Sequence, residues 1–507
     1  MNHGAFLPCA LVVAGCAVGP DFERPPVVMN ERIPELDSTV SSGTTIKITE
    51  APPWESWWQV FRDPQLDQLV EDARASNYDI RAAVARVHAA RAVVRENFAP
   101  LLPQIGATGQ YVYQKFAVNA IVLQPSPGTT AAPGGPSGTG TTAFSFTGKP
   151  FELWAGTADL SYELDLWGRI RRGLEAAEGE EAATEEDKKN VEITTESAVA
   201  NAYFDLGQAE ADLAIARDAV TTRERALDLV RGRYDAGLAP ELDLRRAEAE
   251  LANARAQVPE AERRHAIAEH ELAILTGRQP ALHFSGRAPA AFDVPPEVPV
   301  GMPGTLLERR PDVRAAELRV RAQNARIGVA IANFFPQVTI AGRAGYASID
   351  ARTVVENGSE LWSIGPTIRL PIFQGGLTYA QMLEAEASTD QAVAEFYRTV
   401  LTAFKEVGDA IVSIWAHERV RDQQRAYVVA EERALELATI EYNQGLVNYL
   451  SVLDAQRELL QAKQALVLAQ RNLLSDIVQL QKALGGGWAE VPADRWTPTK
   501  SGTSFGE

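Results

Sequence analysis

Apolar residues recur at alternating steps of three and four along two separate stretches of this chain. In the first, Leu244, Ala247, Leu251, Ala254, Val258 and Ala261 lead through His265 and Ala268 to Leu272 and Leu275. In the second, Val452, Ala455, Leu459, Ala462, Leu466, Ala469 and Leu473 lead through Asp476 to Leu480 and Ala483. That step predicts helices meshed side by side, and large residues alternating with small ones let neighbours approach closely. The two stretches align without a gap at an offset of 208: Tyr234 matches Tyr442, Gly237 matches Gly445, Leu238 matches Leu446 and Gly277 matches Gly485. A repeat at fixed spacing marks one structural unit made twice.

Helix lengths follow from the same pattern. Arg169 to Gly237 predicts a helix of roughly 100 Å, the return to Gly277 roughly 60 Å, and Pro64 to Asn97 supplies roughly 50 Å more. The second copy repeats this from Leu377 down to Gly445 and back to Gly485. Such helices exceed a normal domain and suggest an elongated tube wall. Pro259 is expected to bend the first ascending helix locally. Upstream the offset becomes 233, pairing Asp79, Arg81, Ala82 and Gln104 with Asp312, Arg314, Ala315 and Gln337. The change of offset leaves extra residues in the first copy, and they fall between Phe116 and Pro150, where residues 123–142 form an uncharged loop. A loop long in one copy and short in the other belongs at a surface tip.

Around each loop the period changes from helical to two. Leu160, Tyr162, Leu164 and Leu166 alternate with Asp159, Ser161, Glu163 and Asp165. Val338, Ile340, Ala344 and Tyr346 alternate with Gln337, Thr339 and Arg343, and Ile364, Ile368, Leu370 and Ile372 with Thr367 and Arg369. Segments of about ten residues with one apolar and one polar face suit a membrane β-barrel. Four strands cannot close one, and an open edge cannot face lipid. Copies must therefore share a barrel: two would give eight strands, three would give twelve.

Composition narrows the setting. The net charge of −18 argues against a nucleic-acid partner. No run of roughly 18 apolar residues offers a transmembrane helix. The only cysteines are Cys9 and Cys16, so neither a disulfide framework nor a Cys-based metal site is expected beyond them. Residues 1–15 read as a signal peptide, and Val13-Ala14-Gly15-Cys16 resembles the bacterial lipobox, which makes Cys16 the acylated first residue. Residues 16–63 form an extended leader whose Trp54, Trp57, Trp58 and Phe61 dock it onto the body. Residues 64–277 and 305–487 are the two repeats, joined by a Pro-rich linker at 278–304 and followed by a tail at 488–507.

The motifs GCAVGPDFERPP, WWQVFRDPQLDQL, ELDLWGRIRR, LLERRPDVRAAE, NFFPQ, LPIFQGG and YNQGLVNYLSVLDAQRELL resemble the TolC-type outer membrane efflux family, lipoprotein branch, from Cys16 to about Gly487. The resemblance implies a homotrimer: an α+β membrane protein with a twelve-strand outer membrane β-barrel continued by a twelve-helix periplasmic α-barrel. It implies a passive exit duct for small molecules, partnered by a periplasmic adaptor and an inner membrane RND-type transporter. A type I protein export channel is the alternative, and a non-pore adaptor or scaffold a weaker one. The resemblance also implies that the turns at Gly237, Leu238, Gly445 and Leu446 meet the adaptor. It carries a narrowing periplasmic gate onto Tyr442, Leu450 and Asp454, where the first copy has Leu242 and Arg246 opposite the last two.

No enzyme is expected, and no cofactor or metal. His265 and His270, five apart, do not share a helix face. Gly140 to Lys149 lacks the second glycine and the hydroxyl residue of a phosphate loop. The acidic run from Glu178 to Asp187 reads as a solvated helix face.

Overall fold

The computed structural model describes residues 17–27, 47–49, 56–115, 150–280, 283–292, 294, 297–299 and 309–486. Cys16, Trp54, the signal peptide, the 116–149 loop with its phosphate-loop-like stretch, and the tail lie outside these. In chain order the elements are β1 (Lys47–Thr49), α1 (Pro64–Ser76), α2 (Tyr78–Phe98), β2 (Gln104–Gln114), β3 (Phe151–Leu164), α3 (Arg169–Asp235) and α4 (Glu241–Leu275). Then follow β4 (Glu297–Pro299), α5 (Pro311–Ala332), β5 (Gln337–Ser348), β6 (Glu360–Arg369), α6 (Leu377–Gln444) and α7 (Tyr449–Ala483). They divide into two compact units.

The first unit carries an antiparallel sheet in the order β2-β3-β5-β6. Because side chains alternate across a strand, each cross-strand row takes one face. Ile105, Leu160, Gly342 and Ile364 stand in one row, and Gly106, Asp159, Arg343 and Ser363 in the next. The first face is apolar and open in the single chain, with Ile105 at 78% and Ile364 at 66% exposure. Towards one end it carries Tyr111, Tyr113, Trp154, Tyr346 and Trp362, an aromatic band of the kind found at a membrane interface. The opposite face is polar, with Arg343 bound to Asp159 at 2.5 Å. Leu166, Leu370 and Ile372 lie past the strand ends. Leu166 donates to the Leu164 carbonyl in a tight turn, and Pro371 has no amide to continue a ladder.

In the same unit the start of the leader is fastened down. Val18 donates to the Trp167 carbonyl at 3.1 Å, Arg172 pairs with Asp21 at 3.0 Å, and Asn324 donates to the Pro20 carbonyl. Gly19, at φ +103, lies where a side chain would strike the backbone of Gly328.

The second unit is helical, and its core is aromatic. Trp57, Trp58 and Phe61 form a short 3-10 turn and bury against α1, α3 and α7. The Phe61 ring meets Phe204 at 5.1 Å and Phe292 at 6.4 Å, edge to face, so these leader aromatics are packing residues. The 16–63 leader is not wholly extended, and it meets the linker: β1 pairs with β4 in parallel, Ile48 opposite Val298. Strands of three residues have no period to read.

Two further expectations are corrected. The helix from Pro64 to Asn97 is two helices, because Asn77 is extended at ψ 135 and its side chain accepts from Asp79 and Ile80 to start α2. The acidic run is no solvated face: Glu186 is buried between Arg314 at 3.2 Å and Lys189 at 2.7 Å. Arg91 reaches Glu181 and Glu185, and Arg319 reaches Asp187. The acids face arginines from α2 and α5, which spacing along α3 alone does not reveal. The stripes behaved as read, with Leu244, Ala247, Leu251, Val452, Ala462 and Leu473 buried, and α4 continues through Pro259.

Candidate functional site at the helix reversals

Both long helices end in the same cap. At the end of α3, Leu238 donates to the Arg233 carbonyl at 2.8 Å and Gly237 to Tyr234 at 2.9 Å. At the end of α6, Leu446 donates to Glu441 at 2.9 Å and Gly445 to Tyr442 at 3.0 Å. This paired bond requires a left-handed residue, and Gly237 and Gly445 sit at φ +69 and +77. Neither is crowded: a side chain at Gly237 would meet nothing within 4 Å, and one at Gly445 only the far end of Arg233. Leu238 and Leu446 are exposed beside them. The returns differ, since Asn448 accepts from the Ser451 amide to open α7, whereas Pro240 opens α4 without a side-chain cap.

Behind the turns lies an apolar cluster of Leu227, Val230, Leu244, Ala247, Leu251, Ala438, Tyr442, Tyr449, Val452 and Leu453. It joins all four helices of the reversal, each large side chain contributing roughly 1.5–3 kcal/mol of burial. Tyr442 lies within the last turn of α6, not after it, and is buried against Tyr449 with ring centroids 5.7 Å apart. Arg233 covers the Tyr442 ring at 4.8 Å and donates to the Asn443 carbonyl at 3.0 Å. Burial pushes the Tyr442 hydroxyl above its ordinary pKa against the opposing pull of Arg233. Burial likewise pushes Tyr449 up to about 12. Neither hydroxyl has a hydrogen-bond partner among the described residues.

Leu450 and Asp454, one turn apart on α7, share an exposed surface. Asp454 has Arg457 at 4.0 Å, and Arg457 in turn binds Glu250 of α4. The chain therefore brings Leu450 and Asp454 together, while no hydrogen bond links Tyr442 to either. Sequence reasoning missed Arg223, Arg233, Glu250, Gln456 and Arg457. One signal was available: at the offset of 208, Arg223 and Arg233 stand opposite Glu431 and Glu441, a charge reversal that marks where the copies differ.

A sheet with one lipid-suited face, continued in sequence by pairs of very long helices, defines an outer membrane channel with a helical extension. The outer membrane efflux protein profile matches residues 69–278 and 302–486, and the chain belongs to that family. It is 33% identical over 479 residues to the solvent efflux pump outer membrane protein SrpC of Pseudomonas putida, covering 94% of this chain and 97% of SrpC. It is 32% identical to the outer membrane protein OprJ of Pseudomonas aeruginosa, covering 95% of each. The solved outer-membrane channel OprN superimposes with a TM-score of 0.80 at 31% identity, over 93% of this chain and all of OprN.

Proposed function

We propose that three copies of this chain form the outer membrane exit duct of a tripartite efflux pump for small organic molecules. The observation that carries the reading is the four-stranded sheet with two edges unpaired among the described residues and one lipid-suited face. Those edges must pair with other copies, and three copies give twelve strands. SrpC is named as a solvent efflux pump protein, and solvents are the substrate class proposed for this chain. In this reading Cys16 bears the acyl anchor, and the turns at Gly237-Leu238 and Gly445-Leu446 receive the hairpin of a periplasmic adaptor bound to an RND-type transporter. Leu450 and Asp454, brought around one axis by threefold symmetry, form an apolar and an acidic ring that narrow the periplasmic end. Tyr442 supports that end from within the cluster. Light scattering of the detergent-purified chain, followed by planar-bilayer recording, tests the reading. A trimer that conducts is expected; a monomer, or a trimer without conductance, overturns it.

A further inference from the structure

Beyond the reversal, α3, α4 and α7 border a cleft of about 700 Å³. One corner of it gathers Arg223 from α3, Glu250 from α4 and Arg457 from α7, with Gln456 of α7 bonded to Arg223 behind them. Arg457 is ion-paired with Glu250. Arg223 is only 5% exposed, yet its Nε lies 3.9 Å from that same carboxylate, beyond hydrogen-bond length. The one side-chain hydrogen bond of Arg223 among the described residues goes to Oε1 of Gln456, a neutral acceptor. Glu250 thus faces both guanidinium groups and Asp454 lies 4.0 Å from the half-exposed Arg457, so among the described residues the charge left without a carboxylate in hydrogen-bond reach is that of the buried Arg223. A desolvated cation is costly unless an anion answers it, and a neutral amide answers it less well than a charged oxygen. Burial accordingly pulls the Arg223 guanidinium below its ordinary pKa, against the support of Glu250. The next acid of the cleft on the same helix is Asp212, roughly 16 Å away along α3 and already 3.8 Å from Arg264.

We propose that the Arg223–Arg457 corner of this cleft binds a free small oxyanion of the phosphate, sulfate or carboxylate class. The cleft supplies the space, and Arg223 and Arg457 supply donors from two different helices. A bound oxyanion would therefore tie α3 of the first repeat to α7 of the second, a few residues from Leu450 and Asp454. Arg223, Glu250, Gln456 and Arg457 all belong to one chain, so the test needs no pump partner.

The test is the thermal unfolding midpoint of the full-length chain in detergent, titrated with sodium phosphate and with sodium sulfate at constant ionic strength. A saturable rise is expected. Arg223→Met should abolish it, and Arg457→Gln should weaken the apparent affinity by at least about tenfold. Gln456→Glu gives Arg223 a carboxylate partner of its own in place of the neutral amide, so it should raise the anion-free midpoint and remove the response. These anions also stabilise proteins generally by exclusion from their surface. A wild-type response that does not saturate, or an unchanged response in both Arg223→Met and Gln456→Glu, overturns the proposal.

Discussion

Arg233 covers the face of Tyr442 at 4.8 Å and caps the end of α6 through the Asn443 carbonyl, so the last turn of one long helix is held by the last turn of the other. A guanidinium over an aromatic ring contributes about 0.5–1 kcal/mol at a partly exposed site. Arg233→Ala should lose that contact and make single-channel conductance noisier and larger on average. Tyr442→Phe keeps the ring and discards a hydroxyl with no partner, so it should leave conductance and stability close to wild type. An open channel from Tyr442→Phe would show that the hydroxyl, not the ring, holds the turn.

For the proposed gate, Leu450→Ala with Asp454→Ala should give larger, steadier conductance and weaker block by multivalent cations, since in that proposal three carboxylates around one axis attract cations. Bilayer recordings that match wild type in both respects would remove these residues from the gate.

The glycines separate docking from folding. Gly237→Val and Gly445→Val enter open space and cost roughly 1–2 kcal/mol for left-handed backbone, so trimers should persist while efflux fails. Gly277→Val differs, because its Cβ would lie 2.4 Å from the Ser76 carbonyl, and it should impair assembly itself. Drug susceptibility beside native-gel trimer yield reads both outcomes; full resistance in the Gly237 and Gly445 variants would count against docking.

Asp476 occupies a position of the apolar stripe and is 2.5 Å from His417. Burial pushes its carboxyl above the ordinary pKa of 3.8, while His417 and Arg471 pull it back. An acid raised in the folded state binds more protons folded than unfolded. Its contribution to stability therefore falls as pH rises from the ordinary carboxylate range to the raised value, and stays lost above it. Asp476→Asn should raise the unfolding midpoint near neutrality, with the gain disappearing by about pH 3. A variant that is less stable at neutral pH would show that the ion pair outweighs the burial.

For the anchor, mass spectrometry of the mature protein should find an acylated Cys16 at the N-terminus. Cys16→Ser should lose the lipid and keep the trimer, because Val18 to Asp21 are held by contacts of their own. An unmodified Cys16 or a retained Met1 would rule the anchor out.

Much of the architecture was readable because it rests on local chemistry that repeats. Glycine at 237, 277, 445 and 485 marks four helix ends, and all four adopt positive φ. Period two placed Leu160 and Asp159 on opposite faces of β3, as the register has them. The family followed from motifs spread along the whole chain. The reading stopped at partners. Asn77 donates to the Leu275 carbonyl at 2.9 Å, and Arg310 donates to the Ala483 carbonyl at 2.7 Å. At the two offsets Asn77 matches Arg310 and Leu275 matches Ala483, so one clasp is built twice from different side chains. The alignment contained both pairs, but nothing in it joined them.

By itself the sequence determined the glycine-marked helix ends and the faces of the strands, since each depends on residues within a turn or two of one another, and the duplication through matches at fixed offsets. Only the tertiary structure decided which charges are answered: Glu186 by Arg314, Asp476 by His417, Arg233 by the ring of Tyr442, and Arg223, among the described residues, by no carboxylate within hydrogen-bond reach. The physical reason is that backbone conformation is set by near neighbours along the chain, whereas the energy of a buried charge is set by whatever folding brings within a few ångströms of it.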